Sequence, residues 1–345
     1  MSDPLDLVVV GAGPAGTATA LFAARAGLSV ALLEPRVGPV DKACGEGLMP
    51  GALAAVRELA GEVAGVDIAG IAYLDGAGRV ARAPFRAGPG RGVRRTTLHA
   101  ALLQAVQAAG IQMHAHRADG LTQDDEGVRV GGLRARYAVA ADGLHSPVRE
   151  ELGLNRPVRG GGPARFGLRQ HFQVAPWTDL VEVHWSSRAE AYVTPVGPAE
   201  VGIAVLTSHR LPYAEQLAWF PALRERLDGA EPITTVRGAG PLRQVASSPM
   251  AGRVLLVGDA AGYVDALTGE GIAVSFAAAR AAVSCLVAGR PDDYARAWRA
   301  ASRRYRWITG TLLAASRRPV LRSAIVPAAR ALPPVFRSAV NQLAR

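Results

Sequence analysis

Leu5–Val10 (LDLVVV) runs straight into Gly11-Ala12-Gly13-Pro14-Ala15-Gly16 and then into the small-residue stretch TATALFAARAG, which stops at Gly27. A second apolar run, Leu28–Glu34 (LSVALLE), ends on a carboxylate. The order strand, glycine turn, helix, strand, acid confines the N-terminus to a βαβ unit of the dinucleotide-binding kind. Gly11 permits the tight turn, Gly13 lets backbone amides approach a pyrophosphate, and Gly16 lets helix and strand pack closely. The N-terminal end of the helix adds a positive field for the phosphates. Glu34, 23 positions after Gly11, is placed to bond a ribose diol, and Arg36 beside it joins the candidate cofactor residues.

Composition narrows the class. The chain has 345 residues, 49% of them apolar and 20% charged, which is a globular balance. Two cysteines, Cys44 and Cys285, give no disulfide framework, and no signal-peptide pattern opens the chain, so a reducing, cytoplasmic setting is expected. The net charge of +10 belongs to one segment: residues 294–345 hold eleven arginines and no Asp or Glu, leaving the rest close to neutral. Without basic patches interleaved with aromatics, or a zinc or helix-turn-helix signature, a nucleic-acid partner is not expected.

Helices are predicted over Ala52–Ala64, over Arg95–Gly110 with Leu98, Leu102, Leu103 and Val106 on one stripe, and from Gly271 to about Ala288. Between residues 155 and 245 the pattern changes to short β-rich runs punctuated by Gly and Pro, read as a mostly antiparallel sheet. Arg253–Val257 returns as a buried strand. The expected division is a discontinuous dinucleotide-binding domain of residues 1–75, 95–155 and 245–290, a β-rich substrate domain of residues 156–244 with 76–94, and a basic helical tail of residues 291–345 broken at Pro319, Pro327 and Pro333–Pro334. The tail is expected to cover the substrate domain, with an anionic membrane surface as its alternative partner.

Two further motifs follow strands: ADGLHSPVRE at 141–150, and GDAAGYVDALTGEGI at 258–272. With GAGPAG they resemble, in order and spacing, the FAD-dependent family of para-hydroxybenzoate hydroxylase-like monooxygenases, geranylgeranyl reductases and flavin-dependent halogenases. The resemblance spans roughly residues 1–290 and implies FAD, with NAD(P)H as electron donor bound without a second Rossmann unit. It implies that Asp259, after Gly258, contacts the ribityl chain. It also implies that Gly269, Glu270, Gly271 and Ile272 present amides to the flavin edge where charge gathers on reduction. Arg95 matches the family's arginine opening an RxxLxxxL helix, with Arg94 as the adjacent alternative. Asp142 lies in the motif tied to both cofactors, or caps its own loop. Ala266 stands where many relatives carry proline. The WxWxIP signature of the halogenase branch is absent.

The segment DKACGEGLMP, residues 41–50, holds the only lysine, Lys42, and Cys44. Its CGEGL resembles the geranylgeranyl reductase branch. Gly45 and Gly47 would let backbone approach the ring, placing Cys44 against it as a candidate catalytic residue whose thiolate fraction rises near Lys42. The expectation is thus an FAD-dependent oxidoreductase of α/β class, with an inserted β-rich domain and a helical C-terminus, acting on a hydrophobic small molecule. An NAD(P)H-dependent monooxygenase is the working reading. The alternatives are a double-bond reductase of an isoprenoid or quinone, and a non-redox flavin enzyme such as a cyclase.

Overall fold

The computed structural model describes residues 5–158 and 162–345. Its first sheet has strand Leu5–Val10 at the centre, parallel to Val30–Leu33 on one side and to Leu133–Ala140 on the other. Gln112–His114 and Val254–Leu256 extend it in parallel on the two flanks. An LDLVVV strand suits this position because both faces are covered. Leu7 and Val9 pack in one cluster with helices α1 (Pro14–Arg25), α2 (Pro50–Ala60) and α3 (Arg95–Ala108), while Val8 and Val10 pack in another. The short helix α4 (Pro147–Glu151) follows the sheet on the second side.

The second sheet is built on strands Phe166–Gln173, Glu200–Thr207, Ala189–Gly197 and Leu180–Trp185, each antiparallel to the next. Leu180–Trp185 then pairs in parallel with Gly70–Asp75, which pairs antiparallel with Val80–Pro84. The expected boundary at residue 75 is therefore corrected: Gly70–Asp75 belongs to the second sheet, because its partner Leu180–Trp185 comes from far along the chain. One face of this sheet is covered by α5 (Tyr213–Leu217) and α6 (Pro221–Arg226) through Tyr213, Phe220 and Leu223. Both faces of Ala189–Gly197 are covered, so its burial does not alternate, and the polar side chains it carries, Glu190 and Thr194, are buried with partners.

Helix α7 (Gly271–Val287) packs back on α1 through alanines, including Ala279 and Ala282. The tail forms α8 (Tyr294–Ser316), α9 (Pro319–Ala331) and α10 (Pro333–Leu343). Pro319 and Pro333 open helices at positions where the missing N–H costs nothing, and Pro327 lies inside α9 without ending it. The break expected at Pro327 is thus corrected. Leu313 and Val326 of the tail join the second sheet's core with Tyr192 and Leu206, so the tail covers the substrate sheet as expected.

Candidate active site

The three motifs meet at the carboxyl ends of the parallel strands. Val10, Leu33 and Ala140 are in register, and Gly11, Glu34 and Ala141–Asp142 follow them directly; Gly258–Asp259 follows the neighbouring strand. A cavity of about 920 Å³ opens there and runs to the second sheet. Gly13, Pro14, Ala15 and Arg36 line its first end, and Tyr73, Val183, Tyr192 and Leu206, with Val340 and Leu343 of α10, line its other end. Tyr192 donates to the Leu267 carbonyl at 2.8 Å, whereas Trp185 stays in the core against Tyr73.

The glycine turn behaves as its spacing demands. A Cβ on Gly16 would lie 1.7 Å from the Gly11 carbonyl oxygen, while one on Gly13 would meet nothing within 4 Å. No side chain caps α1, so its first-turn amides are left for a ligand. Glu34 is buried and accepts from Ala12 N–H at 3.0 Å and from the exposed Arg36 at 2.7 and 2.9 Å. Burial alone would raise its pKa, but these hydrogen bonds outweigh it and hold the carboxyl below its usual value. His99, which the sequence reading did not single out, completes the turn. Its Nδ1 accepts from Val40 N–H at 2.8 Å, so Nε2 carries the proton and donates to the Ala12 carbonyl at 2.6 Å. Its only sequence signal is position, four residues after Arg95 on α3.

Asp142 Oδ2 accepts from Val148 N–H at 3.1 Å, the loop-capping role, while its buried Oδ1 has no partner among the described residues. Burial pushes this carboxyl up. Arg149 of the same motif is buried and donates to the Asp259 and Ala260 carbonyls at 3.3 and 3.0 Å, so it fastens the second motif to the third. Lys42 pairs with Asp259 at 3.4 Å. The sole lysine therefore serves the carboxylate of the GD motif and not the thiol two residues on.

The Cys44 loop is fixed from several sides. Thr194 donates to the Gly45 carbonyl at 2.7 Å, and Gly47 pairs with Gly92 in a small three-stranded sheet. Glu46 takes φ +59°, a left-handed conformation costly for a residue with Cβ. Its buried carboxylate accepts from Arg95 N–H at 2.8 Å through Oε1 and meets His171 Nε2 at 2.6 Å through Oε2. Arg169 donates to His171 Nδ1 at 3.0 Å and pairs with Asp41, which also pairs with Arg237. Neither Glu46 nor His171 was anticipated. The lone acid among the glycines of CGEGL was the available sign.

Burial pushes the Cys44 thiol up, the Arg95 cation opposing this only in part, and Cys44 Sγ accepts from Glu46 N–H at 3.4 Å. The expected rise in thiolate fraction near Lys42 is thus corrected: desolvation dominates, and the lysine's charge is directed to Asp259. Arg95 is buried against the cavity with Nη1 lacking a partner among the described residues, whereas Arg94 pairs with Glu200. Gly269, Gly271 and Ile272 line the cavity at the start of α7. Glu270 does not; it is buried at the N-cap with its pKa pushed up to about 7 by burial, and Arg304 acts against that rise.

Residues 5–289 match the family described as FAD binding domain. The chain belongs to this family. It is 32% identical to menaquinone reductase of Mycobacterium tuberculosis (strain CDC 1551 / Oshkosh), over 86% of this chain and 79% of that protein. It is 30% identical to digeranylgeranylglycerophospholipid reductase 2 of Methanopyrus kandleri, over 80% of this chain and 75% of that one. Among solved structures, flavin-dependent brominase Bmp2 superposes with a TM-score of 0.77 over 98% of both chains at 18% identity, a likeness of fold. The chain is an FAD-dependent oxidoreductase. The cavity fits that cofactor in three respects. Two uncapped helix N-termini, of α1 and α7, border it; Gly13 faces open space; and Arg95 presents an unpartnered buried donor. A ribose at Glu34 would replace Arg36, whose exposed guanidinium occupies both carboxylate oxygens.

Proposed function

We propose that this protein reduces a carbon–carbon double bond in an apolar, isoprenoid-bearing small molecule. The observation that carries the reading is the second end of the cavity, where Ile71, Tyr73, Val183, Leu206, Val340 and Leu343 form an apolar chamber continuous with the dinucleotide cradle. The reductase names of the relatives support it over the oxygen-dependent hydroxylation that was the working reading from sequence. When bound, FAD supplies two-electron redox chemistry, for which NAD(P)H is the proposed donor.

In this reading the α1 amides and Gly13 receive the pyrophosphate, and Glu34 takes the ribose. Asp259 would hold the ribityl hydroxyls, its pairing with Lys42 fixing its orientation. Arg95 and the first-turn amides of α7 stabilise negative charge at the ring. Cys44, kept as a thiol by burial, holds a proton at the cavity wall. The chamber excludes water from the apolar chain.

Anaerobic protein reduced by NADH or NADPH, then mixed with a polyprenyl quinone, tests the proposal. Return of the oxidised flavin spectrum together with a product whose prenyl chain has gained two hydrogens, retained after the quinone ring is reoxidised in air, is expected. A product that has gained one oxygen atom, formed only in air, would establish the hydroxylase instead.

A further inference from the structure

The tail helices cover the substrate sheet with one face, and their other face has no partner in the fold. On α9, Arg322 and Val326 point inward and are buried. The outward positions are mostly apolar, Val320 (79% exposed), Leu321, Ala324, Ala328, Ala331 and, at the junction with α10, Leu332 (56% exposed), with Ser323 and Arg330 exposed among them. Val335 on α10 and Trp307 on α8 are also exposed, at 63% and 71%. Large apolar side chains this open to water along consecutive helices mark a surface that is covered in use.

Charge decides what covers it. Residues 294–345 contain eleven arginines and no Asp or Glu. Arg322 is neutralised internally by Glu190, and Arg296 is paired with Asp293, but Arg303, Arg318, Arg330 and Arg337 are exposed beside the apolar positions with no salt-bridge partner among the described residues. A second copy of this chain seated face to face, as a two-fold dimer through these helices requires, would bring arginine against arginine with no tail carboxylate between them. An anionic lipid surface supplies both missing complements, an acyl region for the apolar stripe and phosphates for guanidinium groups. Among the described residues no helix is long and apolar enough to cross a membrane, so contact would lie along the surface.

We propose that the outer face of α8–α10 docks on the anionic surface of a lipid bilayer. Val340 and Leu343 of α10 line the cavity from within, so the docked element is also a cavity wall. The inference rests on the surface alone and holds whichever redox reaction the cavity performs.

Co-sedimentation of the flavin-loaded full chain with phosphatidylcholine vesicles, with and without phosphatidylglycerol, tests it. Binding at least about tenfold tighter to the anionic vesicles, and weakened by salt, is expected. Val320→Ser combined with Leu332→Ser should reduce vesicle binding by about tenfold, and Arg318→Gln with Arg330→Gln should remove the preference for anionic lipid. Flavin content, melting temperature and turnover of a short-chain, water-soluble substrate should stay unchanged in both variants, which separates loss of docking from loss of fold or activity. Equal binding to both vesicle types, wild-type binding by both variants, or an apolar variant that instead dissolves a dimer seen by light scattering would each overturn the proposal.

Discussion

Glu46 is the residue on which the ring-side loop depends, and substitution there tests two opposed terms at once. Its left-handed backbone costs roughly 1–2 kcal/mol that a glycine would not incur. Its carboxylate offsets this by accepting from Arg95 N–H and from His171, while facing the buried Arg169 at 3.9 Å. Arg169 donates to His171 Nδ1, so His171 presents an N–H to Glu46; the amide of Glu46→Gln would satisfy Arg95 but set a donor against that N–H. One buried donor then goes unpaired, a loss of about 1–3 kcal/mol. Glu46→Ala loses both hydrogen bonds and keeps the strained backbone. Glu46→Gly loses both but relieves the strain. Urea unfolding of the flavin-loaded protein should therefore rank wild type above Glu46→Gln, with Glu46→Ala lowest and Glu46→Gly about 1 kcal/mol above it. If alanine and glycine were equally stable, the left-handed cost would be absent. If glutamine matched wild type within about 0.5 kcal/mol, the His171 contact would carry no weight.

The released cofactor should be FAD and not FMN by chromatography of the heat extract, and Glu34→Ala should weaken its retention in equilibrium dialysis while leaving the melting temperature nearly unchanged. Asp259→Ala should lose flavin more severely than Asp142→Ala, by roughly 1.5–3 kcal/mol of binding, because Asp142 is engaged in capping Val148; equal retention would reverse that assignment. Cys44→Ser should bind flavin yet slow the reductive or oxidative half-reaction about tenfold in stopped flow, roughly 1.4 kcal/mol in the barrier. Wild-type Cys44 should alkylate slowly near neutral pH because burial raises its pKa. For Glu270 the folded pKa of about 7 lies above the ordinary glutamate value of 4.5, so between these values the unfolded chain releases a proton that the folded one keeps. Its contribution is full below the lower value and is lost as pH rises through the upper. Glu270→Gln should therefore be more stable relative to wild type at about pH 8 than at about pH 4, by about 2–3 kcal/mol in urea unfolding.

The sequence could reveal what is encoded locally. Gly11 and Gly16 are demanded by backbone approach and Gly258 by its left-handed φ of +60° against the Ala15 methyl, each within a few residues of a strand end, so their spacing is a direct record of geometry. Glu34 and Asp259 follow from the same strand ends. The Glu46–His171–Arg169–Asp41 network was not legible, since its two halves, Asp41 with Glu46 and Arg169 with His171, lie more than 120 positions apart and no periodicity connects them. Glu46 also hides itself: a left-handed position normally announces itself as glycine, and here a carboxylate fills it because its hydrogen bonds hold it there. Arg322 misleads in the opposite sense. In a tail of solvated arginines it reads as one more, yet it is buried against Glu190.

That burial shows how the tail is joined to the site. Arg165 pairs with Asp265 at 2.9 Å and with Glu190 at 2.6 Å, and Glu190 pairs with Arg322 of α9 at 2.6 Å. The four charges sum to zero, and each is almost fully removed from water. Such a set adds little net stability when complete, but losing one member strands a buried charge at a cost of about 3–5 kcal/mol. It therefore acts by fixing relative position. Asp265 lies four residues before Gly269, Glu190 is on the central strand of the second sheet, and Arg322 is on the helix whose outer face is apolar. The loop at the start of α7, the substrate sheet and the tail are thereby held in one arrangement, and the cavity between them has walls drawn from all three.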